Sequence, residues 1–364
     1  MDKRAKKIIR VTKTYLPDLE DYIYYLKKIW KTGQVTNSGP LVLKLENQLK
    51  KYLGVKYLFL VDNGTTGLQI AIKALDLSGE VITTPFSYVA TTSSIVWEGC
   101  EPVFVDIDPN TLCIDANKIE VVITNKTSAI LAVHVYSNVC DVELINRIAQ
   151  KHGLKVIYDS AHAFSVKYKG KSVLNIGDIN VLSFHATKIF HTGEGGAVIT
   201  TDSKLAHKIS YLRNFGHNEE EAFWGLGING KNSELHAAMG LSVLPEVERL
   251  IDIRKKISEE YDKLLKDTSL LKPQLNIHST YNYSYYPVLF KSEKKLLLVR
   301  DSLNKHNIFP RRYFYPSLNK LPYIKGQSCP IAENISSRIL CLPLFHSLKI
   351  SDVKTISKLI RENL

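Results

Sequence analysis

Cysteine is scarce and scattered in this chain of 364 residues: Cys100, Cys113, Cys140, Cys329 and Cys341, an odd number with no Cys-x-x-Cys pair. That argues against a disulfide framework and against a zinc site. Long apolar runs are missing too. None approaches the roughly 18 residues that cross a bilayer, and the basic start from Met1 to Lys7 has no apolar signal-peptide core behind it. These absences point to a soluble, cytoplasmic protein with no membrane partner. Acid is in deficit: 36 Asp and Glu stand against 48 Lys and Arg, a formal charge of +12. Such an excess invites a nucleic-acid reading. The lysines, however, spread along the whole chain, and no basic–aromatic stripe forms. A solvated lysine-rich surface accounts for the charge, and a basic site would also suit a substrate carrying a diphosphate. The polar turn Asp62-Asn63-Gly64-Thr65-Thr66-Gly67 lacks the Gly-Lys-Ser/Thr ending of a P-loop and the three-glycine dinucleotide fingerprint.

Hydrophobic content of 45% and charged content of 23% are ordinary for a globular protein, and the length suits one large and one smaller domain. From Val55 to Thr201 short β-rich runs alternate with helix-length segments. The spacing predicts strands at 58–61, 81–84, 102–105, 129–133, 155–158, 180–184 and 197–200, and helices at 65–74, 88–98, 117–122 and 142–152. Alternation of this kind gives an α/β fold, a mostly parallel seven-stranded sheet flanked by helices. Ligands of such sheets sit at the carboxyl ends of strands. After about Ser203 the pattern turns helical, with one long amphipathic helix at 245–266. A strand in the aromatic run 281–290 and helices near 292–306 and 351–362 follow. The chain divides into a large domain, 1–245, and a small α/β C-terminal domain, 246–364, with the long helix as bridge.

Three places carry chemistry. Lys188 stands in Ser183-Phe184-His185-Ala186-Thr187-Lys188, between an apolar strand and the turn Gly193-Glu194-Gly195-Gly196. A buried lysine loses hydration of its charged form, and the neutral amine can then attack a carbonyl. A solvated loop lysine is the commoner reading of one such residue. Asp159 ends the strand Lys155-Val156-Ile157-Tyr158, where a carboxylate can pair with the ring nitrogen of a bound heterocycle or cap the next turn. The turn at Asn63-Gly64-Thr65 opens a helix whose free N–H groups and positive dipole end favour a phosphate. A plain strand-to-helix turn explains it as well. His185 and His191 flank the lysine without metal-ligand spacing, so no metal is read, and Glu194 is given no chemistry.

Phosphate cradle, carboxylate and lysine stand in the order found in fold-type I pyridoxal-phosphate enzymes. From about Trp30 onward the chain resembles the DegT/DnrJ family of nucleotide-sugar aminotransferases. The likeness rests on Gly33-Gln34-Val35-Thr36-Asn37-Ser38-Gly39-Pro40, the motif from Thr84 to Thr91, Val103-Phe104-Val105-Asp106-Ile107-Asp108, Tyr158-Asp159-Ser160-Ala161-His162, the Lys188 segment, the stretch from Gly227 to Leu235, and Tyr315-Pro316-Ser317-Leu318. Its Lys188 segment and Val103 to Asp108 look most like the synthases of dTDP-4-amino-4,6-dideoxyglucose (dTDP-viosamine). The resemblance implies pyridoxal 5′-phosphate as cofactor, held covalently by Lys188, with Asp159 on the pyridinium nitrogen and Tyr88 stacked on the ring. It implies His162 facing the ring hydroxyl, and Gly64, Thr65 and Ser183 on the phosphate. It further implies Asn229 reaching the site of a neighbouring chain, hence a homodimer with shared active sites. Thr36, Asn37 and Tyr315 are implied substrate contacts. The implied reaction moves an amino group from L-glutamate to a dTDP-linked 4-keto-6-deoxy sugar, for a surface polysaccharide such as the O-antigen of lipopolysaccharide. The alternative is amination of a 3-keto isomer. Two departures stand out: serine at Ser137, where many relatives have glycine, and lysine at Lys231, where arginine is commoner.

Overall fold

A computed structural model describes residues 7–324 and 326–364. The chain runs β1 (Ile9–Arg10), α1 (Leu19–Thr32), α2 (Pro40–Leu53), β2 (Tyr57–Val61), α3 (Gly64–Ala74), β3 (Glu80–Thr83), α4 (Ala90–Trp97), β4 (Glu101–Phe104) and β5 (Thr127–Val133). Next come α5 (Val142–His152), β6 (Lys155–Asp159), the small hairpin β7 (Lys167–Tyr168) and β8 (Lys171–Ser172), β9 (Ile179–Ser183), β10 (Gly196–Thr200), α6 (Ser203–Leu212) and α7 (Glu234–Val243). The remainder is α8 (Val247–Leu265), β11 (Tyr286–Leu289), α9 (Glu293–Lys305), β12 (Ile308–Phe309), α10 (Pro330–Arg338), β13 (Ile339–Leu342) and α11 (Ile350–Asn363).

Seven strands form one sheet in the order β2-β10-β9-β6-β5-β3-β4. All neighbours pair in parallel except β10, which runs against both β2 and β9. Strand side chains alternate between faces. Val156 and Tyr158 of β6 therefore join the core that holds Leu45 and Leu49 of α2 and Ile145 of α5. Ile157 between them joins the core on the other face, with Leu68 of α3, Ile95 of α4 and Ile209 of α6. A third core lies between α8, α9, α11 and the two-stranded β11–β13 sheet, with Tyr261, Val299, Leu340 and Ile356 at its centre. Ile9 packs into that core, because β1 pairs with β12. Among the described residues no helix is long and apolar enough to cross a membrane.

Three local expectations change. Residues 117–122 form two 3-10 turns, Ala116–Lys118 and Glu120–Val122, and not an α-helix. Val121, Val122 and Ile123 are β-branched and lose rotamer freedom in a helix. The long helix begins at Val247, after a 3-10 turn (Leu244–Glu246) that contains Pro245. The aromatic run gives a strand only at Tyr286–Leu289. Tyr283 takes φ 56°, outside strand geometry. Its neighbours serve another purpose: Asn282 donates to the carbonyls of His162 and Phe164 at 2.8 and 2.9 Å, and Ser284 Oγ to that of His162 at 3.1 Å. Ser137 does adopt a positive φ, 73°. A non-glycine residue there costs roughly 1–2 kcal/mol.

Candidate active site

The carboxyl ends of β6 and β9 and the amino end of α3 open into one cavity of about 300 Å³. Gly64, Thr65, Tyr88, Asp159, His162, Ser183 and Lys188 all line it. Asn229, Thr36, Asn37 and Tyr315 do not. Asn229 is exposed, and its Oδ1 accepts from Lys231 Nζ at 2.5 Å. Thr36 and Asn37 are exposed, and Tyr315 stacks on the guanidinium of Arg312.

Asp159 is buried at the end of β6. Its Oδ2 accepts from Thr91 Oγ1 at 2.8 Å and its Oδ1 from the Ala161 N–H at 3.1 Å. Burial pushes its pKa up, while these two hydrogen bonds and the charge of Lys188 oppose the shift. Lys188 is half-buried in the cavity wall. Desolvation lowers its pKa from 10.5 to about 8, against the pull of Asp159 and Tyr88. About a tenth of the amine is then free at pH 7, far more than at the ordinary lysine value, and a nucleophilic lysine needs that free form. Its Nζ lies 6.0 Å from the centroid of Tyr285.

His162 is clamped between rings. Phe314 lies parallel to it at 5.8 Å, and Tyr285 meets it edge-on at 5.0 Å. The N–H of Tyr136 donates to His162 Nδ1 at 3.3 Å, which leaves the ring proton on Nε2. Burial, and then the charge of Lys188, lower its pKa and keep the imidazole neutral.

At the amino end of α3, Asn63 Oδ1 accepts from the Thr66 N–H at 2.8 Å. The N–H groups of Gly64 and Thr65 are the unpaired donors of the first turn. A Cβ on Gly64 would stand 3.1 Å from Ser183 Cβ and 3.6 Å from Ser183 Oγ. Glycine thus keeps open a cradle between two amide donors and one hydroxyl, a ready anion site.

The whole chain has known relatives. The model of the DegT/DnrJ/EryC1/StrS aminotransferase family matches residues 18–361. A dTDP-4-amino-4,6-dideoxy-D-glucose transaminase from Shigella dysenteriae is 46% identical, covering 98% of this chain and 99% of its own. One of the same name from Escherichia coli is 44% identical, with 97% and 98% covered. Among solved structures DesI, determined in the presence of its TDP-sugar product, superposes with a TM-score of 0.93 at 31% identity, covering 98% of this chain and 93% of its own.

The chain belongs to the DegT/DnrJ/EryC1/StrS aminotransferase family.

This aminotransferase uses pyridoxal 5′-phosphate, and its cavity fits that group. The anion cradle at Gly64, Thr65 and Ser183, the buried Asp159 carboxylate and the amine of Lys188 supply the three kinds of contact the cofactor requires. The site also draws on residues that carry no motif of their own in the sequence. Thr91, in the first turn of α4, stands behind the lining and acts on it through its hydrogen bond to Asp159. Glu194 lines the wall and lies 3.6 Å from His185 Nε2. Tyr285, Arg311, Tyr313 and Phe314 come from the C-terminal part of the chain. No spacing in the sequence ties them to Lys188, although the aromatic density of both segments is visible there.

Proposed function

We propose that this aminotransferase moves the amino group of L-glutamate to C4 of dTDP-4-keto-6-deoxy-D-glucose, giving dTDP-4-amino-4,6-dideoxy-D-glucose. The observation that carries the choice of sugar is the whole-length likeness, at 46 and 44%, to two transaminases of that name. A 3-oxo-sugar enzyme, the UDP-2-acetamido-2-deoxy-3-oxo-D-glucuronate aminotransferase of Pseudomonas aeruginosa, is 33% identical.

The geometry supports the following roles. The bound cofactor supplies an aldehyde that takes up the amino group and a protonated ring that draws electrons from the substrate carbon. Asp159, held by Thr91 and Ala161, keeps the ring nitrogen protonated. Lys188 Nζ holds the cofactor between turnovers, and as a free amine carries the proton to and from the reacting carbon. His162, fixed as its Nε2–H tautomer, would face the ring hydroxyl, and Tyr88 would cover the ring. Gly64, Thr65 and Ser183 bind the phosphate. Thr36, Asn37 and Tyr315, exposed and outside the cavity lining, are the proposed contacts of the sugar nucleotide. The long helix α8 separates a large domain, up to about residue 245, from the smaller C-terminal one.

Two chains complete each site in this reading. Asn229 is exposed and does not line its own cavity, on a loop that also exposes Phe223 (62%), Trp224 (55%) and Leu226 (72%). An apolar patch of that kind marks an interface, and a second copy seated there brings Asn229 to the phosphate. The test is an assay of purified protein with L-glutamate and either the 4-keto or the 3-keto dTDP sugar, with the new amine located by NMR. Amine at C4 from the 4-keto substrate is the expected product. Turnover of the 3-keto isomer alone would overturn the proposal.

A further inference from the structure

Two consecutive arginines follow β12, and their surroundings differ. Arg312 is tied down: its guanidinium donates to Glu293 at 2.7 Å and to the Ser337 carbonyl at 2.7 Å, and it lies 3.5 Å from the centroid of Tyr315. Arg311 is fixed through its backbone, which pairs with Cys341. Its side chain lines the same cavity as Lys188 and Asp159, 5.2 Å from the Tyr313 centroid. Among the described residues its guanidinium meets no acidic partner and no hydrogen-bond acceptor, so its five donors are available to a ligand.

The cavity's charges narrow what that ligand is. The lining acids are Asp159 and Glu194, and the lining cations are Lys188 and Arg311. Lys188 is committed to the reacting carbon. His185 is paired with Glu194, and His162 is neutral. Among the described residues Arg311 is therefore the one permanent cation left in the wall. The two substrates that share this cavity differ in where they carry charge. An amino acid has a carboxylate on the very carbon that gives up its amine. A nucleotide-linked keto sugar is neutral around its ketone, and its diphosphate hangs from the anomeric carbon across the ring.

We propose that Arg311 is the specificity-determining residue for the amino donor, its planar guanidinium receiving a donor carboxylate in a two-pronged hydrogen bond. This rests on the transaminase reading above. The fork geometry selects an amino acid for the first half of the reaction and makes no demand on the neutral sugar ring in the second.

The test uses the cofactor-loaded enzyme and compares KM for L-glutamate with KM for the keto sugar in Arg311→Gln and Arg311→Lys. Arg311→Gln should raise the glutamate KM by about ten- to a hundredfold, the worth of charge-assisted hydrogen bonds, and the sugar KM by far less. Arg311→Lys, which keeps the charge and loses the fork, should fall between. Calorimetric titration with maleate, a dicarboxylate that cannot react, should show the same loss of affinity, with melting curves confirming that the variants fold. A rise confined to the sugar KM would overturn the proposal and give the guanidinium to the diphosphate. Unchanged values for both substrates would overturn it as well. A wild-type enzyme inert towards both keto sugars would sink the transaminase reading instead, and the maleate titration would still decide the role of Arg311.

Discussion

Lys188 and Asp159 share one cavity and act on each other's protonation. Burial brings the lysine down to about 8, while the carboxylate's charge holds it up. Only the free amine captures an aldehyde, so uptake of pyridoxal phosphate by the apoenzyme should quicken as pH rises, with a midpoint near 8. Stopped-flow absorbance checks this, and a midpoint above 10 would show an unperturbed lysine. In Asp159→Asn the opposing charge is gone, so the midpoint should move to lower pH. The same variant leaves the pyridine nitrogen without its counter-ion. Turnover should drop on the order of a hundredfold or more, roughly 3 kcal/mol of transition-state stabilisation. Loaded protein should be yellow, and borohydride should abolish the band while fixing the cofactor's mass on Lys188. Lys188→Ala should still bind the cofactor through Asp159 and the cradle and should not turn over.

The elements that aim these groups are α3, α4 and β9. Gly67, in the first turn of α3, lies against the sheet, and a Cβ there would stand 2.7 Å from Val181 Cγ1. Gly67→Ala should therefore push α3 off β9, costing about 1–3 kcal/mol. Thermal melting reads the loss, and cofactor affinity should weaken with it because the cradle moves. Thr91→Val removes the hydroxyl that holds Asp159 Oδ2. Cofactor affinity should fall by about tenfold, the worth of one hydrogen bond to a charged group, measured by titration of the apoenzyme. At this scale the sequence was most readable where burial is two-sided. Each strand of the large sheet is a short apolar run ended by a turn, and all seven fall within a residue or two of their expected bounds. The direction of β10 was not legible, since alternation reads the same along either sense of a strand. The 3-10 turns at 116–122 escaped because their apolar spacing mimics a helix. In the cavity, Lys188, Asp159 and the α3 turn carry local patterns. Tyr285, Arg311 and Phe314 enter from the distant C-terminal part of the chain through packing alone, and only long-range contact could have joined them to the lysine.

At the scale of the molecule the proposed sharing of each site between two chains can be tested by mixing variants. If Asn229 completes a neighbour's phosphate cradle, Asn229→Ala and Lys188→Ala homodimers are each impaired. A mixed dimer carries one site with both native residues and one with neither. Random exchange makes about half the dimers mixed, so combining the two variants should restore activity. Exchange verified by mass spectrometry without any recovery would dismiss the shared site.

The pairing of β1 with β12 has a consequence for how the chain is made. Ile9 can reach its place beside Ile308 only after about 300 further residues have left the ribosome, which at about 5–20 residues per second takes roughly 15–60 s. The seven-stranded sheet can assemble within that interval, once its last strand, ending at Thr200, has emerged. The opening segment meanwhile trails unpaired, and the C-terminal core stays incomplete until both ends of the polypeptide meet. A nascent chain stalled after Thr200 would carry a formed cofactor cradle and lysine without the wall that Tyr285 and Arg311 provide.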